Sequence, residues 1–240
     1  MAFFGLFGKK TGEGAVARHA ARVANKRAQA PDRWESIQAL GAMRSPSAIA
    51  ALMPRFTYYA DPSITDQEEK DEAFRLIVEA GEVAIDPVVA FMKKAESVTW
   101  ALKVIERVAP AERIVTELLA LLASMDTEYE RDPQRKLQIL QALEERTDPR
   151  IGAAIARFVE DVNETARFHA VGSIVRQADA AEHREALLAQ LVREESVRVR
   201  TRLFESFAEL GWSVAPEREK LAKVLPPGFT LDAQGVPRKR

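Results

Sequence analysis

The sequence predicts an all-α protein, a right-handed α-solenoid of about six helical hairpins. Three observations lead there. Apolar triplets at i, i+3 and i+6 recur six times: Trp34/Ile37/Leu40, Phe74/Ile77/Ala80, Thr99/Leu102/Ile105, Leu137/Leu140/Leu143, Phe168/Val171/Ile174 and Phe204/Phe207/Leu210. Their last members are 40, 25, 38, 31 and 36 residues apart, which scatters about the repeat length of stacked helical pairs. Each triplet is then followed by a helix breaker and a second apolar-periodic stretch.

The elements follow in chain order. Residues 14–30 carry a helical pattern with a narrow stripe of Val16, Ala20, Val23 and Ala24, and are expected to cap the first repeat. Residues 31–225 form the solenoid. Its first hairpin turns at Gly41 and re-enters a helix at Ser45-Pro46, an N-cap followed by proline at the first helical position. Ile49, Leu52, Met53 and Phe56 form the second stripe. Later hairpins turn at Gly81 and Asp86-Pro87, at Ala109-Pro110, at Asp148-Pro149, at Asp179, and at Gly211 with Pro216. The run Val197–Leu203 alternates with period two but also fits a helix through Val197, Thr201 and Phe204, between helical neighbours. The tail, 226–240, is basic and punctuated by Pro and Gly. Phe229-Thr-Leu231 and Val236 flank Asp232-Ala-Gln-Gly235 as a small hairpin or coil. Trp34, Leu40, Phe74, Ile105, Leu143, Phe168 and Phe207 are the expected interior.

The stretch Trp34-Glu-Ser-Ile-Gln-Ala-Leu-Gly41, followed by Ser45-Pro-Ser-Ala-Ile-Ala-Ala-Leu52, resembles a HEAT repeat of the bacterial phycobilisome-lyase-like type. Ala166–Val171 and Val197–Arg200 resemble it too. The resemblance covers about residues 31–225. It implies a solenoid and, for most members of the family, a scaffold or adaptor; a bilin-lyase-like enzyme is the minority alternative, and no catalytic residue carries over.

The 240 residues include no cysteine, which removes disulfides, thiolate nucleophiles and Cys-ligated metals. No histidine pair has metal-ligand spacing among His19, His169 and His183. Gly8-Lys9-Lys10-Thr11 lacks the spacing of a phosphate-binding loop, and no Gly-x-Ser-x-Gly is present. The reading is therefore of a protein that is not an enzyme, with no catalytic residue, cofactor or metal. Net charge is −1, unevenly spread. Residues 1–30 carry six basic and one acidic residue, residues 61–95 four basic and nine acidic, and residues 96–130 three and seven. An acidic first half argues against nucleic acid, which needs a continuous basic stripe.

Two long connections, 57–67 and 124–134, contain all three tyrosines. Tyr58, Tyr59, Asp61 and Tyr129 are the candidate partner-binding residues, and the nearby carboxylates suggest a basic protein partner. Residues 1–13 form an apolar and basic segment. Phe3, Phe4, Leu6, Phe7, Lys9 and Lys10 are candidates for weak membrane-surface contact. The expected location is cytoplasmic, or peripheral at the inner membrane surface, with a monomer favoured.

Overall fold

The computed structural model describes residues 5–239, with side chains from Gly12 onward. Phe3 and Phe4 lie outside the described residues, as do the side chains of Leu6, Phe7, Lys9 and Lys10. The chain forms thirteen α-helices among the described residues, with one two-stranded ribbon near the C-terminus. No described helix is long and apolar enough to cross a membrane. Two compact units result, Met1–Glu117 and Leu118–Arg240.

In the first unit, α1 (Gly5–Val23) packs against α2 (Ala30–Met43) and α3 (Pro46–Leu52). The N-terminal helix thus begins earlier and ends earlier than the 14–30 expected. Residues 24–29 form a turn in which the Asn25 side chain accepts the Arg27 N–H at 3.0 Å. α2 packs against α4 (Ser63–Glu79), and α4 against α6 (Thr99–Val108). α3 packs against α5 (Ile85–Met92). Ser45 caps α3 as the sequence predicts, its hydroxyl accepting the Ala48 N–H at 3.3 Å. α4 starts at Ser63 rather than beyond Gln67, so the first long connection is only residues 58–62 between a 3-10 turn and the helix. α7 (Ala111–Ala123) follows α6 and contains the boundary between the units.

In the second unit, α10 (Glu164–Val175) packs against α8 (Gln134–Glu144), α9 (Ile151–Ile155) and α12 (Val197–Glu209). α11 (Arg184–Arg193) also packs on α12. The ambiguous run at Val197 is therefore helical. Asp148 does not cap α9; its carboxylate instead accepts the Arg150 N–H at 3.0 Å in the preceding turn. α13 (Arg218–Leu221) precedes strands β1 (Phe229–Leu231) and β2 (Pro237–Lys239), which pair antiparallel with Phe229 opposite Lys239. Gly235 turns this hairpin at a positive φ of 79°.

Most of the second apolar stripes are buried as read, among them Ile49, Leu52 and Met53; Val88, Val89 and Met92; and Ile151, Ile155, Phe158 and Val159, whereas in the last pair only Leu221 is buried and Val224 is exposed. The first stripes need correction. Leu40, Ile105, Leu143 and Phe207 are fully buried, but Trp34 is 41% exposed, and Phe74 and Phe168 are only half-buried. The reason is geometric. At about 100° per residue, an i, i+3, i+6 set drifts by roughly 120° around the helix, whereas i, i+4, i+7 stays on one face. The buried face of α2 runs through Arg33, Ser36, Ile37 and Leu40, and that of α4 through Asp66, Glu69, Ala73 and Leu76. In α2 a charged side chain, Arg33, holds the inner slot that the apolar reading gave to Trp34.

Candidate functional site

The 58–62 connection carries three of the four predicted contact residues, and its backbone is fixed by a buried ionic network. Arg33 from α2 donates twice to Glu69 of α4, at 2.9 Å each. Arg55, from the 3-10 turn after α3, donates to Glu69 at 2.7 Å and to Asp66 at 2.7 Å. All four residues are buried. Their carboxylates are hydrogen-bonded as well as paired, the condition under which buried charge is tolerated. Burial opposes ionisation of Asp66, but hydrogen bonds from Lys70, Arg55 and the Ala60 N–H outweigh it and hold its pKa below the ordinary value.

The same groups grip the loop. Arg55 donates to the Tyr58 carbonyl at 3.3 Å, and Asp66 accepts the Ala60 N–H at 2.9 Å. Arg33 also donates to the Ala28 carbonyl in the 24–29 turn. Tyr58 completes the tie. Its hydroxyl donates to the Val23 carbonyl at 2.6 Å, and the Arg55 guanidinium lies 4.6 Å from its ring centroid. Burial raises its pKa above the usual phenol value, against the pull of Arg55 and Arg33. Tyr58, read as a contact residue, is thus engaged inside the protein.

Tyr59 and Asp61 point the other way in function. Tyr59 is 56% exposed, with the Lys70 ammonium 6.0 Å from its ring, and Asp61 is exposed. Together with Lys26, Arg27 and Gln29 they line a concavity of about 450 Å³ between the two tied turns. Lys26 and Arg27 have no carboxylate partner among the described residues.

The acidity of 61–95 looks different in this light. Asp66 pairs with Arg55 and Lys70, Glu69 with Arg33 and Arg55, and Glu72 and Glu79 with Arg75. Of these cations Arg33 and Arg55 come from outside 61–95 and offset part of its net negative charge. Asp66 and Glu69 thus face inward and are not offered to a partner.

Tyr129 belongs to the second unit and is 81% exposed. Its connection is also tied down. Buried Lys136 donates to the Asp126 carbonyl at 3.1 Å and pairs with Asp161 at 2.9 Å, and the Val162 N–H donates to the Thr127 carbonyl at 3.0 Å. A related device recurs one helical pair later, where Arg167 of α10 pairs with Glu194 at 2.7 Å. Asp161 and Glu194 each stand three residues before a helix. Each accepts the N–H of that helix's capping residue, Asn163 at 2.8 Å and Ser196 at 2.9 Å. A cation from the first helix of one pair, α8 or α10, thus meets an acid that organises the start of the next pair's first helix, α10 or α12.

Comparison of the chain with protein-family models, with curated proteins and with solved structures returned no match.

The histidines are engaged separately. His19 meets Ser36 at 3.2 Å, His169 meets Glu144 at 2.6 Å, and His183 lies 3.9 Å from Asp179. Among the described residues no three potential metal-ligating side chains come together. Sequence reasoning missed Lys26 and Arg27 as lining residues, and Arg33 and Arg55 as the clamp. One signal was available: Arg33 and Glu69 are 36 residues apart, the length of a repeat, at helix positions otherwise taken by core residues.

Proposed function

We propose that the protein is a non-catalytic interaction scaffold, a HEAT-like solenoid of helical hairpins that binds a protein partner through side chains presented on its inter-helix turns. The observation that carries this reading is the fixed backbone of residues 58–62, which leaves Tyr59 and Asp61 free above a buried clamp. Side chains on a pre-ordered loop bind without the entropic cost of ordering it, which favours affinity. The repeated rungs Lys136–Asp161 and Arg167–Glu194 support the repeat architecture. Tyr129, on its own tied loop, is a second contact. Lys26 and Arg27 beside Asp61 suit a partner surface carrying both signs of charge.

The test is quantitative affinity capture with mass spectrometry, comparing the wild-type chain with the triple variant Lys26→Glu/Tyr59→Ala/Asp61→Ala. The reading expects specific partners whose recovery falls at least about tenfold with the variant while circular dichroism is unchanged. Equal recovery by both forms would remove this surface from the account.

A further inference from the structure

The second unit holds a groove of about 720 Å³ along α10 and α12, floored by Phe168. Phe168 is half-buried because two arginines of α12 stack on it. The Arg198 and Arg202 guanidinium carbons lie 3.9 and 4.0 Å from its ring centroid. Stacking occupies the faces of these planar cations and leaves their N–H edges for other partners. Arg202 spends an edge on Glu144, which also receives His169 at 2.6 Å. Gly172 makes room for this, since a Cβ there would collide with both the Arg202 guanidinium and the Glu144 carboxylate. Arg198 is different. Among the described residues its one polar contact is long, 3.4 Å to the Thr165 hydroxyl, and it has no carboxylate partner.

The other charges in the groove nearly cancel. Glu205 is paired with Lys239 at 3.2 Å. At the far end Arg176 and Glu209 are both exposed and offset each other. Arg198 therefore remains as the uncompensated charge, in the first turn of the 13-residue helix α12, where the helix dipole adds to it. Beside it Val197 is 64% exposed, and Val175 also lines the groove.

We propose that this groove binds a peptide segment of a partner protein that carries a carboxylate next to a large apolar side chain. The carboxylate is forked by Arg198, and the apolar side chain lies against Val197 and the edge of the Phe168 ring. Glu205 and Glu209 interrupt the basic surface, which disfavours a nucleic-acid backbone. The groove shares no residue with the Tyr59 surface, so the two assignments stand or fall separately.

A phage-displayed random dodecapeptide library panned on the full chain tests the proposal. Enriched sequences should combine Asp or Glu with Leu, Ile or an aromatic residue. Synthetic versions should lose at least about tenfold in affinity, by fluorescence anisotropy, with Arg198→Glu or Val197→Asp. The charge-matched control Lys223→Glu, an exposed lysine outside the groove, should bind as wild type, and all three variants should melt like the parent. No enrichment over a blank surface, enrichment of basic sequences, or affinity indifferent to Arg198→Glu would overturn it. So would tight binding of a single-stranded oligonucleotide, lost with Arg198→Glu, when no peptide is enriched.

Discussion

Tyr58 and Tyr59 are adjacent in the chain, yet one is spent on the fold and the other is left to solvent. The Tyr58 hydroxyl closes the turn at Val23, and its removal leaves a carbonyl short of a donor. Tyr58→Phe should therefore lower stability by about 0.5–1.5 kcal/mol in chemical denaturation. Tyr59→Ala should stay within about 0.5 kcal/mol of wild type, as a surface change that removes no buried contact. The reverse order of effects would mean that the loop is not held as described. Sequence alone does not separate these two residues. Both are tyrosines in a polar connection, and what divides them is where the carbonyl of a residue 35 positions away happens to lie. The same holds for Trp34 and Arg33. Hydropathy places the indole inside, but Glu69 waiting in the neighbouring helix makes the inner slot worth more to the guanidinium.

At the scale of elements, the second helices were the most legible. Their apolar residues keep to one face, as at Ile151, Ile155, Phe158 and Val159, which are spaced i, i+4, i+7 and i+8. The Ser45-Pro46 start was equally readable, because cap and proline act locally. Ion rungs between helices were not, since a buried Arg–Glu pair has no local signature. The Arg167–Glu194 rung offers a direct test through pH. Burial alone would raise the Glu194 pKa. Hydrogen bonds from Arg167, the Ser196 N–H and Gln190 outweigh it and hold the folded value below the ordinary 4.5. A depressed folded pKa gives stability that is fully present above about 4.5 and is lost as pH falls through the lower folded value. Glu194→Gln should cost about 1.5–3 kcal/mol at neutral pH, and the gap from wild type should narrow in acid. A gap independent of pH in urea titrations would show that the charge of Glu194 does not matter to the fold.

At the scale of the whole chain, the all-helical class was legible because repeated amphipathic stretches with breakers leave few alternatives. The site was half legible: the loop was found from its tyrosines, while its lining cations and its clamp came from elements distant in sequence. Net charge by segment does not separate surface from interior charge: Asp66 and Glu69 face inward to Arg55 and Arg33. The central claim is that the turns at 24–29 and 58–62 are a docking surface for another protein. Site-specific photo-crosslinking tests it most directly, with p-benzoylphenylalanine in place of Tyr59 and, as the comparison, in place of exposed Val224. The account predicts a discrete protein adduct from position 59 that is suppressed by Lys26→Glu and is absent from position 224. Adducts of equal yield from both positions, or none from position 59 while the chain still captures its partner, would contradict it.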